Sequence, residues 1–345
     1  MAPESSSSPS LRILIAGHQQ SAGKSTVSLG ILAALLEAGF TGSDIAYIKP
    51  ATQCVSSTLT ARFCQSAGIA YEHIGPVVFY RGFTRQRLDE DLAAHDAAAA
   101  AEEAGGDASH GGDGTMPSVT EAQPLVERCA EAVERISAGK RLTLIDGVGY
   151  PAVGSIVGCS SADIAVACRA PVLLVGKPGV GDAVDSFNLC AAYFEARRIP
   201  VLGGIFNKLS PTGFYALPRC NDYVRKYMAV YRPRQRVYGM LPKREVLGNA
   251  AAEETCGFAF KHPPQPEEAG PLSAEDEAAI AVVKELFREY VDTKTLVSDL
   301  AEATANPHLW GVARPGALTF FPGVDEARAA TAAGESPSSK RQRAN

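Results

Sequence analysis

Short apolar runs alternate along the chain with longer segments in which apolar residues recur every three to four positions. Seven runs are typical of buried strands: Leu11–Ala16, Ile45–Ile48, Val77–Tyr80, Leu142–Ile145, Val172–Val175, Val201–Phe206 and Val237–Met240. The segments Ser25–Ala38 and Glu121–Ser137 have the apolar spacing of amphipathic helices. This alternation predicts an α/β fold, with a mostly parallel sheet of about seven strands and helices on both faces.

The same pattern sets the domain organisation. It extends over residues 11–305 and therefore predicts one domain. Residues 93–118 are rich in Ala and then in Gly, which predicts a low-complexity surface insertion. The Ser-rich residues 1–10 match neither a secretory signal nor a transit peptide, and we expect a disordered leader there. Residues 306–345 predict a mostly disordered tail.

Composition narrows the expected partners and compartment. The chain has 345 residues and a formal net charge of -5, so it offers no overall basic surface, and we expect no nucleic-acid partner. Its most apolar stretch, Ile164–Gly176, is interrupted by Arg169 and Pro171 and is too short to span a bilayer, so we expect no membrane partner. The eight cysteines form no C-x-x-C pair, which favours reduced thiols and a cytoplasmic location.

The segment that joins the first strand to the first helix carries the clearest chemistry, and its sequence is GHQQSAGKST. Two glycines give the backbone the freedom to turn its N–H groups toward an anion, a Lys reaches the β- and γ-phosphates, and a Ser ligates Mg²⁺. Five residues separate the two glycines where the usual pattern has four, so this is a long variant. The predicted nucleotide contacts in this phosphate-binding loop are Gly17, Gln20, Ser21, Ala22, Gly23, Lys24, Ser25 and Thr26.

Three further residues follow predicted strands, at the sheet edge where α/β proteins bind ligands. Asp146 has the position of a Walker B carboxylate and is predicted to hold Mg²⁺ together with Ser25. Lys49 is predicted to act with Lys24 in stabilising charge during phosphoryl transfer. Asn207 begins a segment like the guanine-reading loop, but Ser210 replaces the Asp that reads guanine, which favours adenine and hence ATP.

Together these motifs resemble the dethiobiotin synthetase-like branch of P-loop proteins. That branch includes the cobyrinic acid diamide synthases and the N-terminal domain of long phosphate acetyltransferases. The resemblance covers roughly residues 11–247 and rests on the long loop, on Lys49-Pro50, on Asp146-Gly-Val-Gly and on Asn207. The segment Tyr238–Pro242 also resembles the last strand and adenine-side loop of this family. The resemblance implies ATP and Mg²⁺ as cofactors, adenine contacts from Asn207 and Pro242, a catalytic role for Lys49, and a possible homodimer.

The chain departs from the synthetases at positions that bear on activity. Gln19 and Ser21 stand where synthetases have acidic residues, and Ala51-Thr52-Gln53 replaces a small Ser-Gly element that helps hold the diamine substrate. These departures favour an Mg-ATP-binding regulatory or nucleotide-sensing domain with weak or no ligase activity. The alternative is an ATP-dependent ligase or cyclase that activates a small carboxylate through a phosphoryl intermediate. A ParA-like ATPase ranks lower, because it predicts an additional Lys early in the loop. The second substrate or effector, a small molecule, is not identified.

Overall fold

The computed structural model describes residues 10–53, 55–104, 124–247 and 268–310. The strands are β1 Leu11–Gly17, β2 Ile45–Ile48, β3 Ala51–Thr52, β4 Ala70–Glu72, β5 Val77–Val78, β6 Leu142–Asp146, β7 Val172–Gly176, β8 Val201–Leu209 and β9 Arg236–Pro242. The helices are α1 Lys24–Glu37, α2 Leu59–Ser66, α3 Phe83–Ala104, α4 Leu125–Ser137, α5 Ser161–Ala167, α6 Gly181–Glu195, α7 Leu217–Tyr231, α8 Ala274–Tyr290 and α9 Thr293–Ala305.

Seven strands form one sheet in the order β4-β2-β6-β1-β7-β8-β9, and every neighbouring pair is parallel. Successive residues of β1 pack into different hydrophobic clusters. Ile13 and Ile15 join a cluster with α1, α8 and α9, whereas Leu14 and Ala16 join one with α4, α5 and α6. Because side chains alternate between the faces of a strand, the sheet is covered on both sides. The predicted α/β P-loop NTPase fold class is confirmed.

One predicted strand belongs to a different sheet and is shorter than expected. Val77–Tyr80 does not enter the main sheet. Its first two residues form β5, which pairs with β3 in a separate two-stranded sheet. One edge of the main sheet is instead β4, which pairs with β2 and which the sequence pattern missed. The reason is that Ala70–Glu72 is short and only partly buried, so an edge strand of this kind leaves almost no apolar signature.

The helices follow their local start and stop signals. Gly39, just after α1, has φ +95°, the left-handed conformation of a helix-ending glycine. At the start of α8, Ser273 and Asp276 form a capping box. Within the described residues no helix is both long enough and apolar enough to cross a membrane.

The predicted leader, insertion and tail lie largely outside the described residues. Of the insertion 93–118, residues 93–104 form the end of α3. Of the tail 306–345, Pro307–Trp310 form a short 3-10 turn, and the Trp310 side chain is buried against the cluster that contains α1 and α9. The remaining parts of these three segments stay predictions.

Candidate functional site

The phosphate-binding loop connects β1 to α1 at the carboxyl edge of the sheet. Gly23 directly precedes α1 with φ +93°, a conformation that side chains other than glycine rarely adopt. A Cβ at Gly23 would also collide with the amide nitrogen of Asn207. At the other end of the loop, a Cβ on Gly17 would lie 2.9 Å from Cβ of Ala22. Both glycines of the motif are therefore required by the loop geometry itself.

The polar residues of the loop occupy two environments. Lys24 is 7% exposed, and its Nζ donates to the carbonyl oxygen of Gln20 at 3.2 Å. Gln20 and Ser21 are exposed, whereas Ser25 and Thr26 are half-buried in the first turn of α1. The loop thus presents an amine, a hydroxyl and the positive end of a helix at one place, which is the chemistry that binds a phosphate.

A buried polar cluster lies beside Ser25. Asp146, at the end of β6, is 1% exposed and accepts a 2.9 Å hydrogen bond on Oδ2 from the hydroxyl of Tyr47. The Lys49 ammonium lies 3.7 Å from the same oxygen and 3.4 Å from Oγ of Ser25. Oγ of Ser25 is itself 3.5 Å from Asp146 Oδ2. The structure therefore brings together both predicted metal ligands and the predicted second catalytic lysine.

This cluster fits a divalent cation. Oδ1 of Asp146 is buried and has no hydrogen-bond partner among the described residues. An unpaired buried carboxylate oxygen is costly, and a hard cation would satisfy it. Among the described residues, Asp146 and Ser25 are the oxygen ligands that we assign to it. Two protein ligands suit Mg²⁺, an ion that keeps several waters and takes further oxygens from phosphates. In the part of the chain that the structure describes, no cluster of three or more His, Cys, Asp or Glu side chains offers a metal cage.

Asn207, near the end of β8, is hydrogen-bonded to the phosphate-binding loop. Its Nδ2 donates to the carbonyl oxygen of Ala22 at 3.1 Å, and its Oδ1 accepts from the backbone N–H of Lys208 at 2.8 Å. Pro242 ends β9 and pairs in register with Leu209, so it lies at the same edge of the sheet. The structure thus places Asn207 against the loop and Pro242 at the same edge of the sheet. The Asn207 amide already uses one N–H and one lone pair of its oxygen in these contacts. The adenine-binding role of both residues stays a prediction.

Two residues at this site were missed by sequence reasoning. Tyr47 lies in the middle of an apolar run, and only the pairing of β2 with β6 brings its hydroxyl to Asp146. Lys208 has φ +62°, and its Nζ donates to the carbonyl oxygen of Ser21 at 2.7 Å. A strained non-glycine backbone is often found at functional sites, but this strain leaves no signal in the sequence.

The electrostatics of the loop favour anions. His18 accompanies the loop and its Nδ1 lies 3.2 Å from the carbonyl oxygen of Val175. Burial lowers the pKa of His18, and the positive charges of Lys177, Lys24 and Lys208 lower it further. Lys24 and Lys208, which both donate to backbone carbonyl oxygens of the loop, therefore place positive charge there.

Comparisons with known proteins agree with this picture at a coarse level. Residues 116–251 match the family model of an AAA domain, a span of less than half of the chain that includes Asp146 and Asn207 but not the phosphate-binding loop. No curated protein matches the sequence significantly. The geometry of the loop and the family match together support a P-loop nucleotide-binding domain. The finer resemblance to dethiobiotin synthetases is not confirmed.

Solved structures show only distant similarity. The apo McdA structure from Cyanothece has 12% identity and a TM-score of 0.41, over 81% of this chain and 100% of that one. The ATP complex of Cyanothece McdA(D38A) has 13% identity and a TM-score of 0.41, over 82% and 98%. The signal recognition particle receptor FtsY from Elizabethkingia anophelis, in complex with GDP, has 11% identity and a TM-score of 0.38, over 70% and 60%. All three scores lie below 0.5, and these similarities do not indicate a shared activity.

Proposed function

We propose that this chain binds Mg-ATP, with the phosphates in the loop of residues 17–26 and the cation between Ser25 and Asp146. The observation that carries the proposal is the buried Oδ1 of Asp146, which no described residue hydrogen-bonds, within the Ser25–Lys49–Asp146 cluster. A loop that only turned the chain would not require a buried carboxylate beside a buried ammonium. When bound, Mg²⁺ would neutralise phosphate charge, and Ser25 and Asp146 would orient it.

Adenine is the base we propose for this site. The Asn207 amide keeps one N–H and one oxygen lone pair beyond the bonds it makes to Ala22 and Lys208. One remaining donor and one remaining acceptor suit the adenine edge, which presents both N7 and the exocyclic amine. Ser210 Oγ bonds to the carbonyl oxygen of Thr212, and no carboxylate stands at that position to read guanine.

The role we favour is regulatory or nucleotide-sensing, with weak or no ligase activity, and it rests on the replaced acidic residues of the loop. Gln19 and Ser21 are exposed and supply no carboxylate beside the phosphates.

One observation favours a second function, the activation of a small carboxylate. The Lys49 ammonium lies beside Ser25, where it would stabilise charge on a phosphoryl group in transfer. In that reaction a carboxylate oxygen bonds to the γ-phosphorus, the bond to the β-bridging oxygen breaks, and ADP leaves with the electron pair as an acyl phosphate forms.

Calorimetric titration of the purified chain with ATP, ADP and GTP in the presence of Mg²⁺ tests the binding proposal. We expect ATP to bind, GTP to bind more weakly, and Lys24→Ala to abolish binding because the phosphate-facing amine is lost. Lys226→Ala is the matched control, since Lys226 pairs with Asp222 on the exposed face of α7. Equal ATP affinity in the Lys24→Ala variant would overturn the proposal.

Turnover separates the two roles. Release of ADP is measured with Mg-ATP alone and after addition of diaminopelargonic acid and bicarbonate. Binding without turnover supports the regulatory role, and substrate-dependent ADP release supports the ligase and contradicts the regulatory role.

A further inference from the structure

A polar row crosses three neighbouring strands at their carboxyl ends. Ile48 of β2 pairs with Ile145 of β6 on one side and with Glu72 of β4 on the other. The residues that directly follow Ile48, Ile145 and Glu72 are Lys49, Asp146 and His73. The backbone N–H of Lys49 donates to the carbonyl oxygen of Glu72 at 2.9 Å, which continues the β2–β4 pairing to this level. Paired residues of parallel strands share a face, so the three side chains stand side by side.

His73 lies beside Lys49 at the ends of the paired strands β4 and β2. The chain after His73 packs directly on the backbone at the end of β2. The two backbones are so close that a Cβ at Gly75 would collide with the carbonyl oxygen of Lys49. The His73 ring centroid lies 5.8 Å from that of Tyr71. His73 is 5% exposed, and its Nε2 is buried with no hydrogen-bond partner among the described residues.

Both ends of this row therefore carry an unsatisfied buried polar atom: Oδ1 of Asp146 and Nε2 of His73. Lys49 lies between them. Buried polar atoms are rarely left unpaired, and each such atom is explained best by a ligand, an ion or a water. The proposed cation accounts for Asp146. It does not account for His73, which stands on the far side of Lys49.

The charge state of His73 defines what it can bind. Burial lowers its pKa, and the positive charge of Lys49 lowers it further, so the imidazole is neutral near pH 7 and carries one ring N–H. In the tautomer with the hydrogen on Nε2, this N–H and the Lys49 ammonium are two neighbouring hydrogen-bond donors. A carboxylate, with two acceptor oxygens, is a small group that satisfies both.

We propose that Lys49 and His73 form a subsite for the carboxylate of a small molecule, with His73 Nε2–H and the Lys49 ammonium donating to its oxygens. The subsite rests on the proposed function, because the strand order β1, β6, β2, β4 places it next to the phosphate site and further from the loop. The sequence does not identify the second substrate or effector, and the subsite implies that this small molecule carries a carboxylate.

Formate, the smallest carboxylate, is the probe. The full-length chain is labelled with ¹⁵N-histidine and loaded with Mg²⁺ and a non-hydrolysable ATP analogue, and the ring nitrogens are followed by NMR during titration with formate. The chain has six histidines, and the spectrum of His73→Gln assigns the resonance. Sodium chloride serves as the control anion. We expect formate, and not chloride, to shift the Nε2 resonance of His73.

Two variants separate a binding role from a structural one. His73→Phe keeps a flat ring beside Tyr71 but removes the donor, and we expect formate affinity to fall about tenfold, as for the loss of one hydrogen bond to a charged group. His73→Gln restores a donor, and we expect an affinity close to that of the unmodified chain. For the variants the chain is labelled with ¹⁵N-lysine, and formate binding is followed through the backbone amide of Lys49.

The outcomes distinguish this proposal from the one it rests on. A formate response at His73 in a chain that fails to bind Mg-ATP would overturn the proposed function and leave the subsite standing. ATP binding without a formate response at His73 would overturn the subsite alone. So would an equal response to chloride, or equal formate affinity in His73→Phe.

Discussion

The buried ion pair between Lys49 and Asp146 makes a sharp stability prediction. The ammonium lies 3.7 Å from the carboxylate, and the two side chains are 9% and 1% exposed. At this separation the attraction is roughly 4 kcal/mol at an effective dielectric constant of about 20. Lys49→Met keeps the length of the side chain but leaves Asp146 as an uncompensated buried charge. We expect the free energy of unfolding to fall by about 3–5 kcal/mol.

The same reasoning predicts a partial rescue. In Lys49→Met/Asp146→Asn the buried charge is gone, and the Asn carbonyl oxygen still accepts the hydrogen bond from Tyr47. Replacement of both partners of a buried pair by neutral groups is much less costly than removal of one. The double variant should therefore be more stable than Lys49→Met alone, although it contains one more substitution.

Urea denaturation followed by circular dichroism measures these differences, with the slope of each transition as a check that unfolding stays two-state. Lys226→Met is the control, because the Lys226–Asp222 pair has a shorter distance, 2.7 Å, but both side chains are exposed. We expect no measurable loss there. A loss in Lys49→Met no larger than in the control, or a double variant less stable than the single one, would refute the reasoning.

Three further predictions follow from particular contacts. Asn207→Ala removes a tether of the phosphate-binding loop, and we expect calorimetry to show about tenfold weaker ATP binding; unchanged affinity would contradict this role. Gly30→Ala places a Cβ against the ring of Phe287 and should cost about 2 kcal/mol by urea denaturation, whereas Gly39→Ala, whose Cβ meets no atom within 4 Å, should cost about 1 kcal/mol from its φ of +95°. Asp292 caps α9, and hydrogen bonds from Thr295 hold its pKa below the ordinary 3.8. Its stabilisation is therefore present above pH 3.8 and is lost as the pH falls through the lowered pKa, so the cost of Asp292→Ala, about 1 kcal/mol at pH 7, should shrink in acid.

The sequence by itself determined the elements and the loop. Helix periodicity, capping residues and turn glycines act over a few neighbouring positions, so α1, α8 and the turn at Gly23 could be predicted from local chemistry. The residues that end strands could also be predicted, because parallel strands place their carboxyl ends at one edge. These two kinds of signal were sufficient to predict that Lys24, Lys49 and Asp146 lie at one site.

Only the tertiary structure decided which side chains meet across the sheet. β4 is short and half-exposed, so its place beside β2 depends on pairing partners far away in the chain rather than on its own sequence. That pairing sets Lys49 between Asp146 and His73, and the β2–β6 register brings the hydroxyl of Tyr47 to Asp146. Register joins residues distant in sequence, and no local pattern encodes it. The loop could be predicted from the sequence, but the row of polar side chains beside it could not.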